Sequence, residues 1–327
     1  MSKRIRVATV CQAGRFYRSV EENRRYVLKL LDLALLHKPD IVCLPEAFTT
    51  VSVTNKPIEE LAEPVPGPTT EVIAKKAKEY DCYIICPILT KRNSVIYNSA
   101  IIVDRSGDIL GIYDKVHPVT SSSDYTVFER GVSPGREVPV FDLDFGRIGI
   151  QICFDICFPE SWEKLAKKGA KLIFWPSAYN GGFLLQVYAY LHHYYVVSSV
   201  RSDKAKIIDP LGIVLEETDR YKNVIFRDIN LDFVVVHYDF NYSIPDLIMK
   251  AYPGRVEIRS RMDDGRFLVE PIDESISAEQ LMKEFGFEPA MKYFQRHREA
   301  YKYLLQGRQP PPQKAAHGDR PQYAKWA

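Results

Sequence analysis

The amino-acid sequence predicts an α/β protein in which helices cover two β-sheets. Strand-like and helix-like segments alternate from residue 5 to residue 217, which is typical of parallel strands joined by helices. The order of segments in the first part is a strand, a helix, a strand and then a hairpin, and this order recurs in outline in the second part. The repetition favours a sandwich of two sheets with helices outside, although one doubly wound sheet would also give this alternation.

In the first half, residues 5–10 are predicted to form a buried strand. Glu21–Lys38 has apolar residues at spacings of three and four, which predicts an amphipathic helix. A short apolar strand then ends at Pro45-Glu46. After it we expect a helix and three strands, the last two joined by a tight turn at Asp104–Gly107; these elements are Thr69–Tyr80, 82–89, 95–103 and 109–113.

The second half begins with a predicted strand, Ile148–Cys153, and Pro159 then opens a helix that ends near Gly169. The remaining elements are a strand, a helix, a strand and two segments that flank a Pro-Leu-Gly turn, namely Lys171–Trp175, Phe183–Tyr195, Val196–Val200, Ala205–Asp209 and Ile213–Glu217. Residues 1–272 are therefore assigned to one domain.

Residues 273–327 are predicted to form a C-terminal extension. Ser277–Leu305 has a helical but weakly apolar pattern, and Gln309–Gln313 begins a segment rich in proline and charge. Such a composition is typical of a mobile tail. An oligomerisation arm and plain disorder both remain open for it.

The composition limits the partners of this chain. Of 327 residues, 46% are hydrophobic and 26% charged, with a net charge of +2, so no basic surface indicates nucleic acid and the partners are expected to be small molecules. No apolar run reaches the roughly 20 residues that span a bilayer. The six cysteines lie mostly in apolar runs, as reduced thiols do. We expect a soluble cytoplasmic protein without membrane partners.

Three polar residues stand where predicted strands end, and these are Glu46, Lys115 and Cys153. Ligands of α/β sheets collect at the carboxyl ends of strands, so these side chains can meet although they are distant in sequence. Together they suit acyl transfer, because a carboxylate can take the proton of a thiol. An ammonium group and a backbone N–H can stabilise the oxyanion that follows.

Four segments around these residues resemble the signature blocks of the nitrilase superfamily of carbon–nitrogen hydrolases. They occur in family order between residue 5 and about residue 260: Leu44–Phe48 (LPEAF), Tyr113–Pro118 (YDKVHP), Phe128-Glu129 before Ser133–Gly135, and Gln151–Asp155 (QICFD) with Phe158–Glu160 (FPE). One block alone would be weak support, but the ordered set is highly specific.

The resemblance implies a four-layer αββα sandwich that assembles into homo-oligomers, dimers or larger, and uses no metal or organic cofactor. It implies that Glu46 is the general base, Lys115 the oxyanion partner and Cys153 the nucleophile. Glu129 would orient Lys115 and position the substrate. Phe154, through its backbone N–H, and Tyr179, from an aromatic-rich segment, are predicted to contact the substrate.

The chain departs from the family pattern in two places. No arginine follows Cys153 directly to hold a substrate carboxylate, although Arg130, Arg136 or Arg201 can replace it from loops. The segment 188–206 is atypical. Tyr179–Tyr195, which overlaps it, is rich in aromatic residues, which indicates core packing, an aromatic pocket or an oligomer interface. His117 is expected to be a structural hydrogen-bonding residue, and no zinc-like spacing surrounds Cys153 and Cys157.

The sequence thus predicts a cysteine hydrolase of an amide or an N-carbamoyl amine that forms a thioester and releases ammonia or amine. Asp155 and the Pro159-Glu160 pair resemble the amidase and carbamoylase branches rather than the nitrile hydrolases. Two alternatives remain open at this point. One is a nitrilase that converts a nitrile to an acid, and the other is a catalytically silent protein that keeps the fold to bind a small molecule or a partner protein.

Overall fold

The structure, a computed structural model, describes residues 4–313 of the chain. The chain separates into a main unit, Ile5–Ile229, and a C-terminal unit from Asn230 onwards. The predicted boundary at residue 272 stays a prediction, and the part of the predicted mobile tail beyond residue 313 lies outside the described residues. Among the helices of residues 4–313, none is both long and apolar enough to cross a membrane.

The first half of the main unit contains five strands and three helices. Ser19 caps the first long helix, because its side chain accepts a hydrogen bond from the Glu22 N–H. The elements are β1 (Arg4–Val10), α1 (Val20–Leu35), β2 (Ile41–Cys43), α2 (Ile58–Leu61), α3 (Pro68–Tyr80), β3 (Tyr83–Arg92), β4 (Val95–Val103) and β5 (Ile109–Asp114).

The second half repeats this layout after an additional strand. A short 3-10 helix, Cys153–Cys157, follows the strand that was predicted to contain Cys153. The elements are β6 (Val140–Leu143), β7 (Gly146–Ile150), α4 (Pro159–Lys167), β8 (Leu172–Ser177), α5 (Leu184–His192), β9 (Tyr195–Val200), β10 (Lys206–Ile208), β11 (Val214–Glu217) and β12 (Val224–Asn230).

These strands form two six-stranded sheets of matching topology. The first has the order β12-β1-β2-β3-β4-β5 and the second the order β11-β10-β9-β8-β7-β6. In the first sheet β1, β2 and β3 run parallel and β4 and β5 return antiparallel. In the second sheet β7, β8 and β9 run parallel and β10 and β11 return antiparallel. The repeated outline predicted from the sequence is therefore confirmed, and a single doubly wound sheet is excluded.

Each sheet packs against its own pair of helices. Apolar residues of α1 and α3 share one core with the first sheet, and residues of α4 and α5 share another with the second. Hydroxyl groups join the two sheets on their other faces, since Thr9 donates to the Ser198 carbonyl and Ser199 to the Val10 carbonyl, each at 2.8 Å. The main unit is thus the αββα sandwich that the sequence predicts.

Up to residue 313, the C-terminal unit contains a three-stranded antiparallel sheet and three α-helices. The predicted helix Ser277–Leu305 is two helices, because Gly286 adopts a left-handed conformation (φ 70°) and Pro289 follows it. The elements are β13 (Val234–His237), α6 (Ile244–Ala251), β14 (Val256–Arg261), β15 (Arg266–Pro271), α7 (Ala278–Phe285) and α8 (Ala290–Leu304). The sheet has the order β13-β15-β14.

Candidate active site

The carboxyl ends of three strands bring the predicted catalytic residues together. Glu46 follows β2, Lys115 follows β5, and Cys153 begins the 3-10 helix after β7. Only 3%, 1% and 7% of their respective surfaces are exposed. Three polar side chains are therefore withdrawn from water at one place, which costs free energy unless they satisfy one another.

The ammonium group of Lys115 lies between two carboxylates. Its Nζ is 2.9 Å from Oε1 of Glu46 and 2.5 Å from Oε1 of Glu129. An ammonium buried this deeply is stable only when charge and hydrogen bonds compensate for its lost hydration. The structure therefore unites Lys115 with both glutamates that the sequence singled out.

Asn98 is a member of this cluster that the sequence analysis missed. Its side-chain Nδ2 donates to Oε1 of Glu46 at 2.8 Å and to Oε2 of Glu129 at 3.0 Å. The residue lies on β4, where Asn98 and the adjacent Ser99 are buried polar residues in a mostly apolar strand. A polar amide inside a predicted buried strand could have indicated a site residue, because a buried amide needs hydrogen-bond partners.

The loop that carries Glu129 is held against the strand end at Lys115. The Glu129 N–H donates to the Val119 carbonyl at 2.9 Å, and Oε1 accepts from the Val119 N–H at 3.1 Å. Gly135 donates to the Lys115 carbonyl at 2.8 Å. A Cβ atom on Gly135 would lie 2.2 Å from the Asp114 carbonyl oxygen, so the close approach requires glycine.

Cys153 adopts a left-handed backbone conformation (φ 46°) that is uncommon for a residue with a side chain. The indole Nε1 of Trp175 donates to its carbonyl oxygen at 3.0 Å and helps to hold this turn. Burial and then the neighbouring Glu46 carboxylate raise the pKa of the thiol to about 12, although Lys115 and hydrogen bonds from Ser177 and Ala178 act in the opposite direction. The resting group is therefore a thiol.

The charges on the other two groups are set by their mutual attraction. Burial alone would raise the pKa of Glu46, but Lys115 and then Arg201 outweigh burial and lower it. Burial alone would lower the pKa of Lys115, but Glu46, Cys153 and Glu129 outweigh it and raise it. At neutral pH the site holds a thiol, a carboxylate and an ammonium ion.

Asp155 organises the backbone around Cys153. Its Oδ2 accepts from the Tyr113 hydroxyl at 2.7 Å and the Ile152 N–H at 2.8 Å, and its Oδ1 accepts from the His117 N–H at 2.9 Å. The His117 ring Nδ1 lies 2.8 Å from the same Oδ1. This fully buried carboxylate joins the strand end before Lys115 to the turn that presents Cys153.

Replacing Asp155 with asparagine is expected to lower the free energy of unfolding by about 2–4 kcal/mol, because an amide nitrogen cannot accept the bonds that one carboxylate oxygen receives. In the native protein burial and then Asp155 hold the pKa of Tyr113 well above its usual value. In the variant burial still keeps this hydroxyl protonated, so it remains a donor that has lost its acceptor. Urea unfolding measures the change. Asp142→Asn at an exposed ion pair is the control and should change stability by less than about 1 kcal/mol. Equal losses of stability in the two variants would contradict the role of Asp155 in holding the backbone around Cys153.

The two predicted substrate contacts lie next to this cluster in different ways. Phe154 follows Cys153 in the 3-10 helix, and its ring packs edge-on against Phe158 at 5.7 Å. The Tyr179 ring packs edge-on against Trp175 at 5.5 Å. Burial raises the pKa of Tyr179 to about 12, and the next largest cause is Cys153. Tyr179 therefore lies within electrostatic reach of the thiol.

The three arginines proposed as carboxylate holders have different surroundings. The Arg130 guanidinium donates to the Lys56 carbonyl at 2.9 Å, and Arg136 is exposed. The Arg201 Nη2 lies 3.5 Å from Oε2 of Glu46. Arg201 is therefore the one of these three that the structure places beside Glu46.

The atypical segment 188–206 packs largely into the core of the second sheet. Tyr188 stacks on Trp162 at 4.4 Å and donates to the Ile156 carbonyl at 2.7 Å. Tyr194 and Tyr195 are buried. This arrangement supports the core-packing interpretation for these tyrosines. His117 stacks on Phe158 at 3.7 Å in addition to contacting Asp155, as expected of a structural residue.

Metal-ligating side chains do not cluster in residues 4–313, where no three histidine, cysteine, aspartate or glutamate residues could together hold an ion. The chemistry available at the described site is that of a thiol, a carboxylate and an ammonium group. These groups can support nucleophilic attack on a carbonyl carbon with proton transfer to the carboxylate.

Sequence and structure comparisons place this chain among known proteins. The αββα fold and the cluster of Glu46, Lys115, Glu129 and Cys153 are compatible with a hydrolase. The model of a protein family described as "Carbon-nitrogen hydrolase" matches residues 7–236. The chain belongs to the carbon–nitrogen hydrolase family. It is therefore an enzyme that hydrolyses carbon–nitrogen bonds other than peptide bonds.

Two curated relatives illustrate the similarity. The chain is 30% identical over 235 residues to an omega-amidase NIT2 of Xenopus tropicalis, an alignment that covers 65% of this chain and 84% of that protein. It is 31% identical over 158 residues to a beta-ureidopropionase of Arabidopsis thaliana, covering 46% of this chain and 38% of that protein.

A solved structure with the same fold is a mutant of the amidase from Nesterenkonia sp. AN1, described with acrylamide added at its active-site cysteine. The TM-score is 0.59 at 17% identity, covering 69% of this chain and 93% of that one. At this identity the likeness shows the shared fold.

Proposed function

We propose that this enzyme hydrolyses a small amide or N-carbamoyl amine through a thioester on Cys153. The observation that carries the proposal is the buried ammonium group of Lys115, held between Glu46 and Glu129 and within electrostatic reach of the Cys153 thiol. No structural requirement of the sandwich calls for a thiol, a carboxylate and an ammonium ion to be buried together beside a second, partly buried carboxylate, because burying such groups costs free energy.

In the first half-reaction Glu46 accepts the proton of the Cys153 thiol as sulfur attacks the carbonyl carbon. The carbonyl oxygen becomes an oxyanion, and the Lys115 ammonium and the Phe154 N–H stabilise it. The carbon–nitrogen bond then breaks, and the Glu46 carboxylic acid gives its proton to the leaving nitrogen. Ammonia or an amine leaves, and a thioester remains.

In the second half-reaction water replaces the departed amine. Glu46 takes a proton from this water as its oxygen attacks the thioester carbon, and the carbon–sulfur bond breaks in the collapse of the second tetrahedral intermediate. The proton returns from Glu46 to sulfur, which restores the thiol. Glu129 acts on Lys115 by holding it in place, and Tyr179 forms part of the substrate surface.

Comparison with relatives supports the amide and ureido substrate classes. The curated relatives are named for an omega-amide and for a ureido compound. The covalent acrylamide adduct of the Nesterenkonia amidase supports the cysteine as the reacting group. In this chain Asp155 and the Pro159-Glu160 pair resemble those branches in sequence.

We also propose a homo-oligomer in the cytoplasm. Phe183, Leu184 and Leu191 are exposed apolar side chains on or beside α5 and support a subunit contact. A cysteine nucleophile has to stay reduced, and the six cysteines within residues 4–313 are free, which supports a reducing compartment.

Ammonia release from a panel of primary amides, N-carbamoyl amines and nitriles tests the proposed reaction. We expect at least one amide or ureido compound to be hydrolysed with a kcat/KM at least tenfold above that of the nitrile of the same carbon skeleton. The matched nitriles are the control, since they use the same pocket. Ammonia release from nitriles alone would instead assign the nitrilase reaction, and release from none would leave the enzyme without this activity.

A further inference from the structure

The two carboxylate oxygens of Glu46 have different surroundings. Oε1 accepts hydrogen bonds from Lys115 Nζ at 2.9 Å and from Asn98 Nδ2 at 2.8 Å. Oε2 is buried and accepts no hydrogen bond from residues 4–313. The cation beside Oε2 is the Arg201 guanidinium, whose Nη2 lies 3.5 Å away. The two oxygens are therefore suited to different tasks.

The backbone of Arg201 is fixed on both sides. It directly follows β9, its N–H donates to the Ser177 carbonyl at 3.0 Å, and its carbonyl accepts from the Gly14 N–H at 2.9 Å. The side chain is 20% exposed, and its Nε is buried without a hydrogen-bond partner. Within the part of the chain that the structure describes, the contact with Glu46 is the one ion pair of this guanidinium. The side chain thus directs its charge at the carboxylate.

We propose that Arg201 is a positioning residue that holds Oε2 of Glu46 as the proton-accepting oxygen of the general base. The inference rests on the proposed function, because it assigns the atom through which Glu46 works. Two donors already occupy Oε1, whereas Oε2 is available to a proton. The proton moves from the Cys153 sulfur to Oε2 and later from Oε2 to the leaving nitrogen. Arg201 keeps its charge throughout and exchanges no proton.

Charges from several elements act on Glu46. Lys115 after β5 and Arg201 after β9 are cations, the Glu129 loop contributes an anion, and Cys153 becomes an anion only if it loses its proton. If Arg201 is made neutral, only Lys115 and the hydrogen bond from Asn98 are left to oppose the effect of burial on the pKa of Glu46. The pKa of Glu46 then rises, because an opposite charge within about 4–6 Å holds a carboxyl pKa down by about 1–3 units.

The sign of the expected change follows from the role of the base. Glu46 accepts a proton only when it is ionised, so activity falls as pH drops through its pKa. With a neutral residue at position 201 we expect the acid limb of the kcat/KM profile to move to higher pH by about 1 unit or more. A residue that merely supports the fold would lower activity without moving this limb.

The test is the pH dependence of kcat/KM for ammonia release from the best amide or ureido substrate. Native enzyme is compared with Arg201→Gln and Arg201→Lys, and with Arg136→Gln as a matched change of an exposed arginine. We expect the acid limb to shift up in Arg201→Gln, to return to within about 0.5 unit of native in Arg201→Lys, and to stay in place in Arg136→Gln. The pH of the acid limb does not depend on the fraction of enzyme that is folded. If Arg201→Gln does not fold, Arg201→Met replaces it as the neutral variant.

An active neutral variant with an unchanged acid limb would overturn the inference. A rise in KM confined to carboxylate-bearing substrates, with the limb unchanged, would also overturn it and assign Arg201 to substrate binding. These results are distinct from failure of the proposed function. If the proposed function is wrong, the native enzyme itself releases no ammonia from any amide or ureido compound, and the proposed role of Arg201 is then wrong as well.

Discussion

Cys153→Ser is expected to lower kcat/KM for ammonia release by about 1,000-fold or more. Serine fits the site, but a hydroxyl is a much weaker acid than a thiol, and Glu46 cannot remove its proton as readily. Burial and Glu46 raise the pKa of the Cys153 thiol to about 12, so proton transfer from this thiol to Glu46 is already unfavourable. Transfer from the less acidic serine hydroxyl would be more unfavourable still. Initial rates with the best substrate measure the change.

Cys157→Ser serves as the control for this change. Cys157 lies at the exposed end of the same 3-10 helix, so its substitution alters one sulfur atom nearby without removing the proposed nucleophile. We expect Cys157→Ser to keep activity within about threefold of the native value. Near-native activity in Cys153→Ser would show that another group attacks the substrate.

Lys115→Gln is expected to give the largest loss of stability, about 3–5 kcal/mol at neutral pH. The change leaves the buried Glu46 and the partly buried Glu129 without the ammonium ion that lies between them. Removing one partner of a buried ion pair has a cost of this size. Activity should fall with it, because the oxyanion loses its cation. Urea unfolding measures stability, and Lys167→Gln at an exposed helix pair should change it by less than about 0.5 kcal/mol.

The stability deficit of Lys115→Gln is expected to shrink as pH falls. In the native protein the pKa of Glu46 is lowered, and that contribution to stability is lost as pH drops through the folded-state value. In the variant burial dominates, and the pKa of Glu46 rises above its unfolded value. Protonation then favours the folded state. A deficit that stays constant between pH 7 and pH 5 would contradict the charge arrangement.

The sequence predicted the positions of the candidate catalytic side chains better than their local geometry. Glu46 and Lys115 follow β2 and β5 as expected, since apolar runs mark buried strands and polar residues mark their ends. Cys153 was assigned to the end of a strand, yet that strand ends at Ile150 and Cys153 begins a 3-10 helix with a positive φ. Hydrophobic periodicity carries no information on a single left-handed residue.

Hydrophobic periodicity could not predict that Asn98 and Arg201 contact Glu46. Each contacts Glu46, but they stand on or after β4 and β9, strands that belong to different sheets. Their meeting depends on strand register and on how the two sheets face each other, which no local pattern encodes. The short strands of the C-terminal unit were missed for a related reason, because β13, β14 and β15 gain their apolar surroundings from one another.

Mapping of the acyl-enzyme shows directly whether Cys153 forms a covalent bond to the substrate carbon. Turnover of the best amide is stopped with acid, the protein is digested, and peptide masses are measured. We expect the mass of the acyl group on the Cys153 peptide and its removal by hydroxylamine, as for a thioester. An acyl group on another residue, or steady turnover that never labels Cys153, would contradict the account.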